Sequence, residues 1–331
     1  MNSDRLTMNP EYTRVGSFRK NGFVVIPDLL SSHEVNALRD TIHSVIKEAP
    51  PDKRMLTIGD ILGNEALLAA VAGIQFSEKL LGILRVIIPG EICYINNLNL
   101  QCNMYGVGRW HTDCGSEVDN KNQYLYEPSY LFGKVGVYLQ DNTAEWGGGI
   151  SIVRRSHKAF RQLRFAKRAS YLYTSLRGRA QLVLLKLYKK KEFLLPIKSG
   201  SAVFFDSRLL HCSTPPQALV LDERQKAAQR LKAEVLGRAK AKYVLYWEAC
   251  AREYSEGFLK NSCKRAITDE IGIRSSSACE YFFTEYLGYH YPSDYPRLYV
   301  DRCSSQSRLS IACLDKPIAD FWKSAKRLQG Q

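Results

Sequence analysis

The spacing of hydrophobic residues along this chain changes near residue 91, from a helical period to a two-residue alternation. Upstream, GFVVIPDLL (residues 22–30) is a β-branched run that Pro27 stops. The next segment, SSHEVNALRDTIHSVIKEA, sets Val35, Leu38, Ile42, Val45 and Ile46 on one helical face, with Ser32 as its N-cap. A second helical stretch, EALLAAVAGIQFSEKLLGILRVI, follows. These helices are expected to cover one side of a sheet.

From Glu91 the rhythm is that of strands. In EICYINNLNLQCNMYG the amides Asn97, Asn99, Gln101 and Asn103 alternate with Leu98, Leu100, Cys102 and Met104. An amide face of this kind is either solvated or lines a polar cavity inside a barrel. Short strands continue in LFGKVGVYLQD, GGGISIVRR, FLLPI, GSAVFFD and KYVLYWEA, separated by turns such as Asp141-Asn142 and Gly147-Gly148-Gly149. Many short strands after a helical layer predict an α+β chain with a mainly β core, an antiparallel barrel or sandwich flanked by helices.

Two insertions interrupt this core, a basic segment over residues 158–191 and a helix-forming segment, LDERQKAAQRLKAEVLGRAKA, within residues 217–241. The division expected is a domain over residues 1–250 and an aromatic-rich extension over 251–331, read as helical and packing on the barrel.

Composition narrows the class. The chain has 331 residues, 45% hydrophobic and 24% charged, enough to bury a sizeable core. Its N-terminal residues show no secretory pattern and no apolar run reaches membrane-spanning length, so the chain is expected in the cytoplasm. Nine cysteines without any C-x-x-C pairing suit buried thiols better than a disulfide framework or a zinc site. Cys114 and Cys212 are read as small buried hydrophobes.

The net charge of +14 is concentrated: from Lys158 to Lys198 there are twelve Lys or Arg against the single acid Glu192, an excess of eleven. The block would attract phosphates, acidic sugars or an anionic membrane surface. Within it, Tyr171, Leu172, Tyr173, Leu176 and Leu182 to Leu185 interleave with Arg177, Arg179, Lys186 and Lys189, as in an interfacial helix. No base-stacking motif accompanies the charge, so nucleic acid is not the expected partner.

The candidate chemistry lies in His111-Thr112-Asp113 near a strand end and in His211 after the apolar run SAVFFDSRLL. Residues i and i+2 of a strand face the same way, so His111 and Asp113 can approach one ion, and His211 adds a third ligand from a distant strand. Two imidazoles and one carboxylate on one face suit an iron site with open positions. A lone His-x-Asp is common by chance, and a structural histidine is the competing reading. His33 and His43 on the first helix, His157 after a strand and His290 in the C-terminal region are read as surface, packing or structural residues.

The order of NGFVVIPDLL with its helix, WHTD, VYLQDNTAEWGGGISIVRRSH and GSAVFFDSRLLHCS, over roughly Gly22 to Ala249, resembles the phytanoyl-CoA dioxygenase family of 2-oxoglutarate oxygenases. The resemblance implies a double-stranded β-helix (jelly roll, cupin-like) with Fe(II) on His111, Asp113 and His211, and 2-oxoglutarate and O₂ as cosubstrates. Family members pair the distal carboxylate of 2-oxoglutarate with an Arg on the strand after the distal histidine. Here, alignment on Trp247 puts Lys240 at that place, with Lys242 and Arg238 as the other candidates and Ser213 as the accompanying hydroxyl. Lysine would act as a point charge where Arg would be bidentate. Val-Arg-Arg-Ser-His157 replaces the usual Pro-Gly-Ser-His turn.

Related halogenating enzymes carry a small residue in place of the carboxylate, so Asp113 points to hydroxylation of an unactivated carbon, with succinate and CO₂ as co-products. Asn99, Gln101 and Asn103 are candidates to hold cosubstrate or a polar substrate. The substrate expected is small or lipid-linked and anionic, such as an acidic sugar or lipid, with peripheral association at the inner face of an anionic membrane. Two alternatives stay open: the same chemistry ending in desaturation, epimerisation or ring closure, and a non-catalytic metal-binding barrel acting as a scaffold.

Overall fold

The computed structural model describes residues 10–13, 15–47, 55–56, 61, 64–104, 110–113, 130–143, 147–158, 192–214, 242–251, 253–254 and 309–312. After a 3-10 turn at Pro10–Thr13 come α1 (Gly16–Asn21), β1 (Phe23–Ile26), α2 (Ser32–Lys47), β2 (Met55–Leu56), α3 (Glu65–Gln75) and α4 (Glu78–Ile87). The strands continue with β3 (Ile92–Met104), β4 (Phe132–Tyr138), β5 (Ile150–Val153), β6 (Glu192–Leu194), β7 (Ala202–Asp206), β8 (His211–Ser213), β9 (Lys242–Ala251) and β10 (Leu309–Ala312). The basic segment beyond Lys158, the insertion over 217–241 and most of the stretch after 254 lie outside the described residues, as do Cys114 and His290.

Local chemistry starts the helices. α2 is capped by Ser31, one residue before the expected Ser32. The Ser31 N–H and hydroxyl both donate to Glu34 Oε2 at 2.7 Å, and Glu34 N–H donates back to Ser31 Oγ at 3.3 Å. Glu34 three residues on lets Ser31 close this reciprocal box, which Ser32 has no acid placed to do. Asn64 caps α3 by accepting from the Leu67 N–H.

Seven strands form the larger sheet, ordered β1-β7-β4-β9-β3-β10 with β2 also on β3, and β6-β5-β8 form the smaller one. All pairs are antiparallel except β10 with β3. The outer face of the larger sheet carries Val24, Ile26, Val135, Val137, Phe204, Leu245 and Trp247. Against it pack Val35, Leu38 and Ile42 of α2, Leu67 and Val71 of α3, and Leu80, Leu81 and Leu84 of α4. Val45 and Ile46, predicted on the same helical face, are partly buried there. The inner face offers Phe23, Val25, Tyr138, Val203, Phe205, Val244 and Tyr246 to Ile150, Ile152, Leu195 and Ile197 near the smaller sheet. The α+β expectation, a β core with helices on one side, agrees with this arrangement.

Within the extension after residue 250, expected to be helical, residues 309–312 form the strand β10, which pairs in parallel with Ile92–Ile95 of β3; most of the rest lies outside the described residues. The apolar residues Leu309 and Ile311 suit a strand, and β10 satisfies backbone groups that an exposed edge of β3 would leave unpaired.

Among the described residues no single helix is long and apolar enough to cross a membrane, and α3 with α4 passes that test only as a pair bent by 44°. Their apolar faces pack on the sheet, which accounts for their composition.

Candidate metal centre

The site is built on backbone pairing. His111 and His211 form an isolated antiparallel bridge, His111 N–H donating to His211 O at 2.9 Å and His211 N–H to His111 O at 3.0 Å. Residues directly opposite in an antiparallel pair project side chains to the same face, and the two imidazole centroids lie 4.4 Å apart. Asp113 N–H donates to Ser207 O at 2.8 Å, which pins the third residue to the loop before β8. One ligand atom from each of the three lies within 4.8 Å of the others. His111 Nε2 is 3.8 Å from Asp113 Oδ1, and His211 Nε2 is 3.6 Å from Asp113 Oδ2.

Electrostatics prepare these groups for a cation. Burial pushes the His211 imidazole down to about 4, outweighing the nearby Asp113 carboxylate, so the ring is neutral at ordinary pH. Its Nδ1 lies 2.8 Å from Leu209 O. A carbonyl accepts only from N–H, so Nδ1 carries the proton and the Nε2 lone pair is left for a metal. Burial alone would raise the Asp113 carboxyl, but the Lys134 ammonium, joined in acid by the protonated histidines, outweighs it and holds the group at about 2. The neutral His211 imidazole, the His111 imidazole and an ionised Asp113 carboxylate make a donor set that fits a divalent transition metal.

Two lysines point into the same interior. On β9, Lys242, Val244, Tyr246 and Glu248 alternate with Tyr243, Leu245 and Trp247, which face the helices. Lys242 is 2% exposed; its Nζ donates to Ser213 Oγ at 2.7 Å and lies 5.5 Å from the Tyr246 ring centroid. Gly148, at φ +79°, passes close by, and a Cβ there would lie 3.4 Å from Lys242 Cβ. Of the three basic candidates, Lys242 is the one among the described residues, and it lies at Ser213; Lys240 and Arg238 lie outside the described residues.

The second lysine, Lys134 on β4, was not singled out from the sequence. Its Nζ is 3.1 Å from Asp113 Oδ2 and 3.6 Å from Glu248 Oε1. Burial would lower its pKa, but Asp113 and Glu248 outweigh that and raise it. A signal existed in FGKVGVY, where Lys134, Gly136 and Tyr138 alternate with the apolar Val135 and Val137, but alternation alone does not say which face is inside.

Gln101 on β3 stands opposite Val244, on the inward face and half-buried. Asn99 stands opposite Tyr246, whereas Asn103 falls in the irregular stretch between Gln101 and Met104. The side chains of Asn99 and Asn103 are outside the described set. The other three described histidines sit away from the cluster. His33 is exposed, His43 contacts the Tyr243 hydroxyl at 2.6 Å, and His157 is buried in the 3-10 turn after β5. Cys212 is buried, as a small hydrophobe would be.

The chain matches no family model and no curated protein. Solved structures similar to it include the non-heme alpha-ketoglutarate-dependent epimerase SnoN from nogalamycin biosynthesis. That match is 13% identical and covers 72% of this chain and 80% of SnoN, with a TM-score of 0.43. HygX from Streptomyces hygroscopicus, with nickel and 2-oxoglutarate bound, is 15% identical over 74% of this chain and 88% of HygX, at a TM-score of 0.45. The carbocyclase SnoK from nogalamycin biosynthesis is 15% identical over 74% of this chain and 85% of SnoK, also at 0.45.

Proposed function

We propose that this protein is a non-haem Fe(II) oxygenase that consumes 2-oxoglutarate and O₂, with iron on His111, Asp113 and His211. The observation that carries this reading is the pairing of that cluster with a buried ammonium at a fixed separation along one strand. Ser213 lies two residues beyond His211 on β8, about 7 Å along the strand and on the same side, and it holds Lys242 Nζ. A short dicarboxylate can span that gap, one carboxylate at the metal and the other at Lys242 and Ser213. A jelly roll of the kind that the sequence resemblance implies would place the two ends of the cosubstrate in this way.

When bound, iron with 2-oxoglutarate supplies the power to take hydrogen from an unactivated carbon, leaving succinate and CO₂. The chain's own groups set the stage. The Leu209 carbonyl keeps the His211 proton on Nδ1, and the His111–His211 bridge fixes both rings. Lys242 neutralises the far carboxylate, and the apolar layer of Phe205, Tyr246 and Ile152 keeps bulk water away from the interior.

The retained Asp113 favours hydroxylation over halogenation; desaturation, epimerisation and ring closure share the hydrogen-abstraction step. The +14 chain and its basic segment favour an anionic substrate, small or lipid-linked, reached at the surface of an anionic membrane.

Anaerobic addition of Fe(II) and 2-oxoglutarate should give a weak visible charge-transfer band, and oxygen should then release succinate slowly even without substrate. A band of normal intensity in His111→Ala would refute the ligand set. A band with no 2-oxoglutarate turnover under any condition would favour the scaffold alternative.

A further inference from the structure

The carboxylate that would bind the metal already has a resident cation. Lys134 Nζ sits 3.1 Å from Asp113 Oδ2, and its other carboxylate neighbour, Glu248 Oε1, is 3.6 Å away. Lys134 and Glu248 are register partners on β4 and β9, and Glu248 is 3% exposed. The ammonium therefore lies between two acids in a largely enclosed interior, closer to the one that belongs to the metal cluster. Beyond them, the same Nζ is 5.9 Å from the Tyr246 ring centroid.

A buried carboxylate without a counter-charge is costly, and Lys134 removes that cost for Asp113 when no metal is bound. A divalent ion on the same carboxylate reverses the situation. Ammonium and metal then repel across a short distance in a medium that screens poorly. The flexible lysine stem allows Nζ to relieve this repulsion by moving toward an acid that is within about an ångström of hydrogen-bonding distance.

We propose that Lys134 is a two-position counter-cation of the metal cluster, neutralising Asp113 in the metal-free protein and passing to Glu248 when a divalent ion binds. Lys134 and Glu248 are positioning residues in this scheme, acting on the metal through Asp113, and the scheme rests on the metal reading above. Lys134 lowers metal affinity because the ion must displace it, and Glu248 raises metal affinity because it receives the displaced charge. A purely structural ion pair would make the two residues act in the same direction.

Binding of Co(II) alone to the full chain, followed by its visible d–d absorption, tests this without any turnover. Lys134→Met should bind Co(II) about tenfold more tightly than the parent and Glu248→Gln about tenfold more weakly. The double variant Lys134→Met/Glu248→Gln should stay within a few-fold of Lys134→Met, because without the ammonium Glu248 has nothing to receive. The double variant also removes the buried Glu248 charge together with the Lys134 ammonium, so the effect of Lys134 remains measurable if the single variant fails to fold. Weaker binding on removal of Lys134, or shifts of the same sign in both single variants, would overturn the proposal while leaving the metal site intact. Failure of the parent to take up Co(II), or equal uptake by His111→Ala, would sink the metal reading and this proposal together.

Discussion

His111 and His211, one hundred positions apart in the chain, exchange both backbone hydrogen bonds, at 2.9 and 3.0 Å. The two candidate ligands are thus aligned by main-chain bonds that do not need a metal, and Asp113 is held by the Ser207 carbonyl in the same way. Metal binding should therefore stabilise a site that is already formed.

At a hundred times its dissociation constant, a divalent ion should add about 2.7 kcal/mol to stability, seen as an upward shift in unfolding temperature. The His111 side chain is 45% exposed, so His111→Ala should remove this shift while costing little stability in the metal-free protein. Unfolding of the parent on addition of a chelator would contradict the preformed site.

Lys242 should matter for the cosubstrate and not for the metal. Its buried Nζ and the Ser213 hydroxyl would bind the far carboxylate, and truncating one partner of a buried charge pair costs about 2–5 kcal/mol. Lys242→Met should raise the 2-oxoglutarate concentration needed for the charge-transfer band at least thirtyfold, to the order of this cost, with Co(II) affinity changed far less. Ser213→Ala, which removes one neutral hydrogen bond, should cost only about 1 kcal/mol. Unaltered 2-oxoglutarate binding in Lys242→Met would move the anchor elsewhere.

Acid should weaken the fold through His157. Burial lowers its pKa to about 4, the opposing Asp206 charge notwithstanding, so the folded protein holds the ring neutral. On acidification the unfolded chain takes up a proton first, at about 6.5. The contribution is therefore complete above about pH 6.5 and fades as pH falls toward 4, with about 2 kcal/mol lost between pH 7.5 and 5. His157→Gln should lose correspondingly less over that interval, measured by urea unfolding. Equal losses in parent and variant would remove His157 as the cause.

The loop before His211 is held by a buried ion pair. Arg208 gives Nε to Asp206 Oδ1 at 2.8 Å and an amino group to Asp206 Oδ2 at 2.6 Å, and its guanidinium lies 4.8 Å from the Tyr130 ring centroid. Arg208→Leu would leave Asp206 buried without its partner, a loss of about 3–5 kcal/mol. Denaturant midpoints should show it, and a stable variant would mean that Asp206 finds another counter-charge.

Much of the frame was legible because it is local. The run Phe23–Ile26 followed by Pro27 specifies a strand and its end, and the period of Val35, Leu38 and Ile42 specifies a helix with one buried face. The α2 cap was misplaced by one residue because Ser31 and Ser32 are chemically equivalent, and only the reach of Glu34 separates them. Gly22 shows the limit of local reading: it caps α1 at φ +91°, and a Cβ there would also lie 2.5 Å from His157 Nδ1. The turn residue is recognisable in the sequence, but the close approach is not.

For the site, the sequence by itself determined the candidate donors and the local half of their geometry. The strand repeat lets His111 and Asp113 share a face, and the order of motifs that resembles the dioxygenase family adds His211 as the third candidate. The tertiary structure decided which cations meet them. Lys242 of the larger sheet reaches Ser213 of the smaller one across the interior, and Lys134 reaches Asp113 and Glu248 because β4 lies between β7 and β9. Charge partnership depends on through-space distances of a few ångströms between residues far apart in the chain. Alternation states that a lysine lies on one face of its strand, but only the pairing of strands makes that face the inside.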